Sequence, residues 1–245
     1  MSKQLDDKVC VVTGGGSGIG LAVSKAFLQE GARVAIAGRT ESRLRQAVES
    51  LQGKDRLLYS RVDVGTAQDV STFFNLVQQT WGGVDILVNN AGLNIKERAF
   101  RQLTPASWQK LIRTNLDGAF HCIKAALPQM LERKGGLIIN ISSIAALRPS
   151  PLGGAAYAAA KAGMQALGTC LGVEERESGI RVCNICPGEV DTLILEDRPQ
   201  PLTAEQRKLI LQPEDVAAAV LFVAGLPSRV SVPELIIKPA AQTWM

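Results

Sequence analysis

The sequence is poor in several features that would each define a class. Aromatic residues make up 4% of its 245 positions, with two tyrosines and a single histidine, His121. No carboxylate or cysteine accompanies His121 at metal-ligand spacing, so it reads as a structural residue and no metal centre is expected. Charge of one sign is also scarce. The 27 basic and 23 acidic residues leave a net charge of +4, with no Lys/Arg block of the kind that tracks nucleic-acid phosphates. The longest charged runs, residues 174–177 and 196–198, mix signs and read as solvated surface. No apolar run approaches the length of a membrane span.

The five cysteines are an odd number without framework spacing, which argues against a secreted disulfide scaffold. Cys183-x-x-Cys186 has the form of a redox motif, but it lies in a strand-like apolar run with no second pair, and reads as core. With a polar stretch over residues 1–8, these absences point to a cytoplasmic protein. What is abundant, 46% hydrophobic residues and 23 glycines, suffices for a sizeable core and excludes a disordered chain.

Short β-branched runs alternate with longer helical periods. Strands are expected at residues 9–12, 34–37, 57–62, 86–88, 137–141, 181–185 and 235–238. Helical patterns cover 20–30, 41–51 (with Thr40 as N-cap), 69–81, 107–131, 157–177 and 213–225. Strands too continuously apolar to have one wet face, alternating with helices, predict one doubly wound α/β domain. Its seven-stranded sheet should be mostly parallel, with helices on both faces. No linker, repeat or low-complexity tract divides the chain, and the Pro- and charge-rich segment 191–209 is expected to be a mobile substrate loop.

Thr13-Gly14-Gly15-Gly16-Ser17-Gly18-Ile19-Gly20 joins the first strand to the first helix. Glycines there allow a tight turn, close approach of a pyrophosphate and close helix packing, while the helix N-terminus favours the anion. No Lys-Ser/Thr pair follows, so a P-loop is a poor fit. An acidic residue ending the second strand would bind the ribose 2′-hydroxyl of NAD. The chain has Gly38-Arg39-Thr40 instead, a space, a planar donor fork and a hydroxyl, with Arg43 one turn on. NADP(H) is therefore favoured, with NAD(H) the alternative.

Tyr157 and Lys161 are four apart on a helical pattern and so share a face. An ammonium beside a phenol favours the phenolate, which would make Tyr157 a usable general acid or base. Ser142 and Ser143 end a strand, where such sheets present groups to ligands.

These motifs, with Asp63, Asn89-Asn90-Ala91-Gly92, Asn115 and Pro187-Gly188, resemble the single-domain branch of the short-chain dehydrogenase/reductase family over residues 8–223. The resemblance implies a Rossmann domain and a ketone/alcohol oxidoreductase. It implies that Tyr157 exchanges a proton with the substrate oxygen, Ser143 orients that oxygen, Lys161 holds the nicotinamide ribose and lowers the Tyr157 pKa, and Asn115 supports a relay water. Ser142 is the rival for the serine role, and the family's Asn-x-x-Ser spacing selects Ser143. Cofactor contacts are implied for Gly14, Gly16, Ser17, Gly18, Ile19 and Gly20 in the turn, for Arg39 and Thr40, and for Asp63 and Val64 near the adenine. They extend to Asn90, Ala91 and Gly92, to Tyr157 and Lys161, and to Pro187, Gly188, Val190 and Thr192 around the nicotinamide. A homo-oligomer, dimer or tetramer, is likewise implied, through the helices at 107–131 and 157–177.

Two departures are visible. Ser17 stands where many NADP-preferring members carry a basic residue. The chain ends Leu235-Ile236-Ile237-Lys238-Pro239 and a tail to Met245, without the family's Asp-Gly-Gly segment. That short tail is like that of members acting on small hydroxy acids. Trp81, Trp108 and Trp244 read as packing or interface residues. Specificity is expected in residues 93–100, 147–156 and 191–209. There Lys96, Arg98 and Arg148 read as solvated, with attraction of an acidic substrate the alternative. A 3-oxoacyl-thioester reductase and a catalytically silent dinucleotide sensor are the competing functions, the second disfavoured by the complete Asn115, Ser143, Tyr157 and Lys161 set.

Overall fold

A computed structural model describes residues 3–242, and its strands fall on the β-branched runs. They are β1 (Val9–Thr13), β2 (Arg33–Gly38), β3 (Leu57–Arg61), β4 (Ile86–Asn89), β5 (Gly136–Ile141), β6 (Ile180–Pro187) and β7 (Glu234–Ile237). All pair in parallel, in the order β3-β2-β1-β4-β5-β6-β7, so the sheet is wholly rather than mostly parallel. The order reverses between β1 and β4. At such a switch the following loops diverge to opposite faces and open a crevice at the carboxyl ends of the strands.

The helices are α1 (Gly18–Gln29), α2 (Glu41–Leu51), α3 (Ala67–Trp81), α4 (Pro105–Ile112), α5 (Gly118–Glu132), α6 (Ile144–Leu147), α7 (Ala155–Glu174), α8 (Ala204–Leu209) and α9 (Pro213–Gly225). The two-residue period of β1 sorts its side chains between two cores. Cys10 and Val12 join Phe27, Leu44, Val216 and Val220 under α1, α2 and α9. Val9 and Val11 join Phe73, Phe74, Cys122 and Met130 under α3 and α5.

Two helical expectations are revised. The pattern at 107–131 is not one helix. Thr104 caps α4 through a reciprocal bond with Ser107, and a π-helical turn, Arg113–Asp117, separates α4 from α5. Segment 191–209 holds a 3-10 turn, Leu193–Asp197, and the capped helix α8, and Arg207 pairs with Asp191 at 2.6 Å. The helix expected at 157–177 starts earlier, at Ala155, and ends at Glu174. Trp244 and the end of the tail lie outside the described residues.

Candidate active site

The glycine turn is shaped by backbone that side chains would obstruct. Gly14 and Gly18 have φ of +67° and +52°, left-handed conformations that favour glycine. A Cβ on Gly20 would stand 2.3 Å from the Gly14 carbonyl oxygen. The turn is braced from β4. The Asn90 side chain donates to the Thr13 carbonyl at 2.9 Å, and the Thr13 hydroxyl accepts from the main-chain N–H groups of Asn90 and Ala91, both at 3.0 Å. Ser17 occupies the α1 N-cap without a side-chain capping bond, so the first-turn N–H groups remain available to an anion.

Beside the turn, at the end of β2, lies a side pocket of about 140 Å³. Gly16, Ser17, Arg39, Thr40, Arg43 and Val64 contribute to its wall. Thr40 is the α2 N-cap, as expected, but its hydroxyl makes no capping bond. His121 is structural, its Nδ1 3.0 Å from the Val64 carbonyl oxygen. Asp63 is not part of the wall. Its carboxylate accepts from the Arg113 guanidinium at 3.0 Å and from the Gly65 N–H at 3.0 Å, so it is held at the rim by protein partners.

Across the cleft, the ends of β5 and β6 meet the start of α7. Lys161, 3% exposed, donates to the Ile141 carbonyl oxygen at 2.7 Å, and its Nζ lies 5.9 Å from the centre of the Tyr157 ring. The Ser142 hydroxyl donates to the Lys161 carbonyl oxygen at 3.2 Å, within the protein. Ser143 is the α6 N-cap, accepts from the Ala145 N–H at 3.1 Å and hydrogen-bonds Tyr157. Both hydroxyls thus bond helix backbone, and Ser143 also bonds the phenol.

Asn115 is fully buried in the π-turn, where its amide accepts from the Leu93 N–H and donates to the Leu93 carbonyl, both at 2.9 Å. One Nδ2 hydrogen and one Oδ1 lone pair remain for a water. A Cβ on Gly92 would stand 3.0 Å from Asn115 Oδ1 and 3.5 Å from Lys161 Nζ, which locates these three residues together.

The electrostatics differ from the expectation that Lys161 draws Tyr157 down. Burial pushes the phenol above its ordinary value, against pulls from the Ser143 hydrogen bond and the Arg98 charge. Burial also brings the Lys161 ammonium down to about 8. Desolvation outweighs attraction here because Lys161 is buried and Tyr157 is packed, partly buried, into the cleft wall.

At the substrate end, Pro187, Gly188, Val190 and Thr192 line the cleft, and Thr192 reaches within 3.1 Å of where a Gly18 Cβ would stand. Arg198 pairs with Glu189 at 2.5 Å. Arg98, read above as solvated, is 7% exposed. Its Nε donates to the Ile95 carbonyl at 2.7 Å, one terminal nitrogen to the Leu152 carbonyl at 2.8 Å and the other to the Asp197 carbonyl. Asn94, which the sequence did not single out, donates to the Gly153 carbonyl at 3.0 Å. Nothing in the local pattern Lys96-Glu97-Arg98 marks the third residue as buried; its three acceptors come from three segments.

The whole forms one cleft of about 490 Å³, shared by Gly14, Gly18, Ser143, Tyr157, Lys161 and Gly188. Of the residues implied by resemblance, Gly20, Asp63 and Asn115 do not reach either cavity wall. Comparison with known proteins gives a consistent picture. The family model described as short chain dehydrogenase matches residues 8–202. An uncharacterized oxidoreductase of Staphylococcus aureus (strain MW2) is 35% identical over 235 residues, covering 96% of this chain and 98% of the relative. The closed form of serine dehydrogenase complexed with NADP+ superposes with a TM-score of 0.89 at 31% identity, covering 96% of each chain. An alcohol dehydrogenase from the archaeon Thermococcus sibiricus, complexed with 5-hydroxy-NADP, gives 0.87 at 28% identity, covering 98% of this chain and all of that one.

Proposed function

The chain belongs to the short-chain dehydrogenase family and is a nicotinamide-dinucleotide-dependent oxidoreductase, and on that premise we propose that it interconverts a carbonyl compound and a secondary alcohol with NADP(H), Tyr157 serving as general acid and base. The observation that carries this reading is the meeting of Tyr157, Ser143 and Lys161 with the glycine turn in a single cleft.

The residues suit the cofactor. The turn closes if Gly20 or Gly14 gains a Cβ, the α1 N-terminus offers free N–H groups, and the side pocket holds Arg39, Arg43, Thr40 and Ser17 with no acidic residue in its wall. That donor set favours a 2′-phosphate over a 2′-hydroxyl, in line with the NADP complexes of the two structural neighbours. When bound, the cofactor supplies or accepts the hydride.

The chain's own groups handle the oxygen and its proton. Tyr157, kept protonated by burial, donates its phenolic proton to the developing alkoxide, and Ser143 hydrogen-bonds the same oxygen as its charge grows. Lys161 is charged below about pH 8, and its ammonium counters the phenolate that remains. In the oxidative direction Tyr157 takes the proton back. Asn115 holds the Leu93 backbone at the cleft edge and keeps one donor and one acceptor for a water near Lys161.

Replacing Tyr157 with Phe tests the reading directly. Turnover of a trial ketone with NADPH should fall by about 100-fold to 10,000-fold, the range of a lost general acid, while NADPH still binds by fluorescence titration. Retained turnover would refute the role of Tyr157.

A further inference from the structure

Arg98 is a buried cation without a direct ion pair, and the Asp197 carboxylate acts on it only through space. Among the described residues no carboxylate comes within 4.0 Å of its guanidinium, and the acceptors on all three of its nitrogens are neutral main-chain carbonyls. Asp197 gives its carbonyl to Arg98, while the residue itself is exposed. Of the other acids of this region, Glu189 pairs with Arg198 and Asp191 with Arg207, while Glu97 and Glu196 are exposed and, among the described residues, form no ion pair. A buried, unpaired charge is among the costliest features a fold can retain, and removing a guanidinium from water is offset only in part by neutral dipoles.

The geometry also fixes where that charge can be used. Arg98 lines the cleft alongside Tyr157 and Ser143. A guanidinium carries five N–H donors; three are engaged by the carbonyls, which leaves one on each terminal nitrogen. The group cannot swing away. Its acceptors belong to the 93–98 loop, the turn before α7 and the 3-10 turn after β6. Gly154 makes room for its stem, since a Cβ there would stand 2.8 Å from Arg98 Cβ. Two spare N–H groups on a rigid planar fork match one carboxylate.

Resting on the carbonyl-reduction reading above, we propose that the substrate is an oxo acid, or the corresponding hydroxy acid, whose carboxylate becomes the counterion of Arg98 while its carbonyl lies between Tyr157 and Ser143. The carboxylate is unchanged by the reaction: the hydride goes to the carbonyl carbon and the Tyr157 proton to its oxygen.

The test uses the full chain with NADPH and three oxo acids of increasing separation between the two groups, pyruvate, acetoacetate and levulinate, each against its methyl ester. At least one acid should exceed its ester in kcat/KM by 100-fold or more, and that ratio should collapse in Arg98→Gln and survive in part in Arg98→Lys. A ratio is insensitive to general damage by the substitution, and NADPH binding by fluorescence reports whether each variant is folded. Binding of the acids to the NADP+ complex by calorimetry covers the case of slow turnover. Esters reduced as well as acids, a ratio unchanged in Arg98→Gln, or acids neither bound nor reduced would overturn the proposal. Reduction of neutral ketones alone leaves the carbonyl-reductase reading standing without this one. Absence of NADPH binding refutes both.

Discussion

Lys161 is the residue whose setting has the most direct consequence for stability. Unfolded, its amine keeps a proton to a pKa of about 10.4; folded, burial brings this down to about 8. Between those values the unfolded chain binds more protons, so Lys161 makes stability rise with pH, by about 3 kcal/mol once both values are passed. Cys122, Cys183 and Cys186, pushed up to about 12 by burial, act in the opposite sense above pH 9. Comparing wild type with Lys161→Met cancels Cys122, and the Lys161 charge enters only as a minor influence on Cys186. The difference in unfolding free energy should move toward the wild type as pH rises from 8 to 10, and a flat difference would show that Lys161 keeps an ordinary ammonium. Arg39 carries the matching prediction for the cofactor. A charge-assisted bond to a 2′-phosphate is worth about 1.5–3 kcal/mol, so the ratio of NADPH to NADH affinity should drop about 10-fold to 100-fold in Arg39→Ala. Fluorescence titration of both cofactors measures it, and an unaltered ratio would remove Arg39 from cofactor choice.

Helix α7 owes its position to side chains it presses against. Asn89, Asn140 and Asn184 form a buried ladder across β4, β5 and β6, with amide bonds of 3.0 and 2.9 Å. Gly168 of α7 lies on this ladder, where a Cβ would come within 2.5 Å of Asn140 Nδ2 and 2.6 Å of Asn184 Oδ1. One turn on, a Cβ at Gly172 would meet Val182 at 3.4 Å, an ordinary contact. Alanine is worth about 1 kcal/mol over glycine inside a helix, so Gly172→Ala should stabilise by roughly that much. Gly168→Ala should destabilise by about 1–3 kcal/mol, because the overlap outweighs the propensity. Denaturant unfolding of the pair decides it; equal signs would mean that the ladder yields freely. The helices also differ in how far they are legible from the sequence. The helix at 41–51 and the strand runs were readable because periodicity is local. The π-turn was not: the Asn115–Leu93 clamp that accompanies it joins residues 22 apart, and the apolar period runs on through the interruption. The helices α6 and α8 escaped because one turn carries too little pattern.

Across the whole molecule, the cleft is a seam between the β1–β2–β3 half, with its glycine turn, and the β4–β5–β6–β7 half, which brings Ser143, Lys161 and Gly188. The parts of this seam held in one contiguous stretch, the glycine turn and Tyr157-xxx-Lys161, could be read directly. Arg98 could not, since its burial depends on segments 54 and 99 residues away. A ligand lying along such a seam contacts both halves, so its binding should stabilise the fold as one unit. A ligand at 100 times its Kd adds about 2.7 kcal/mol, which for a domain of this size is a rise in Tm of about 5–11 °C. We expect NADP+ to produce that rise and NAD+ at the same concentration a smaller one, on the proposed placement of a 2′-phosphate in the pocket lined by Arg39 and Arg43. Hydrogen exchange should slow both in the glycine turn and around the Leu193–Asp197 turn, since Thr192 faces Gly18 across the cleft. Protection confined to one side would mean that the two walls do not close on a common ligand, and equal shifts with the two cofactors would mean that the arginine pocket does not read the phosphate.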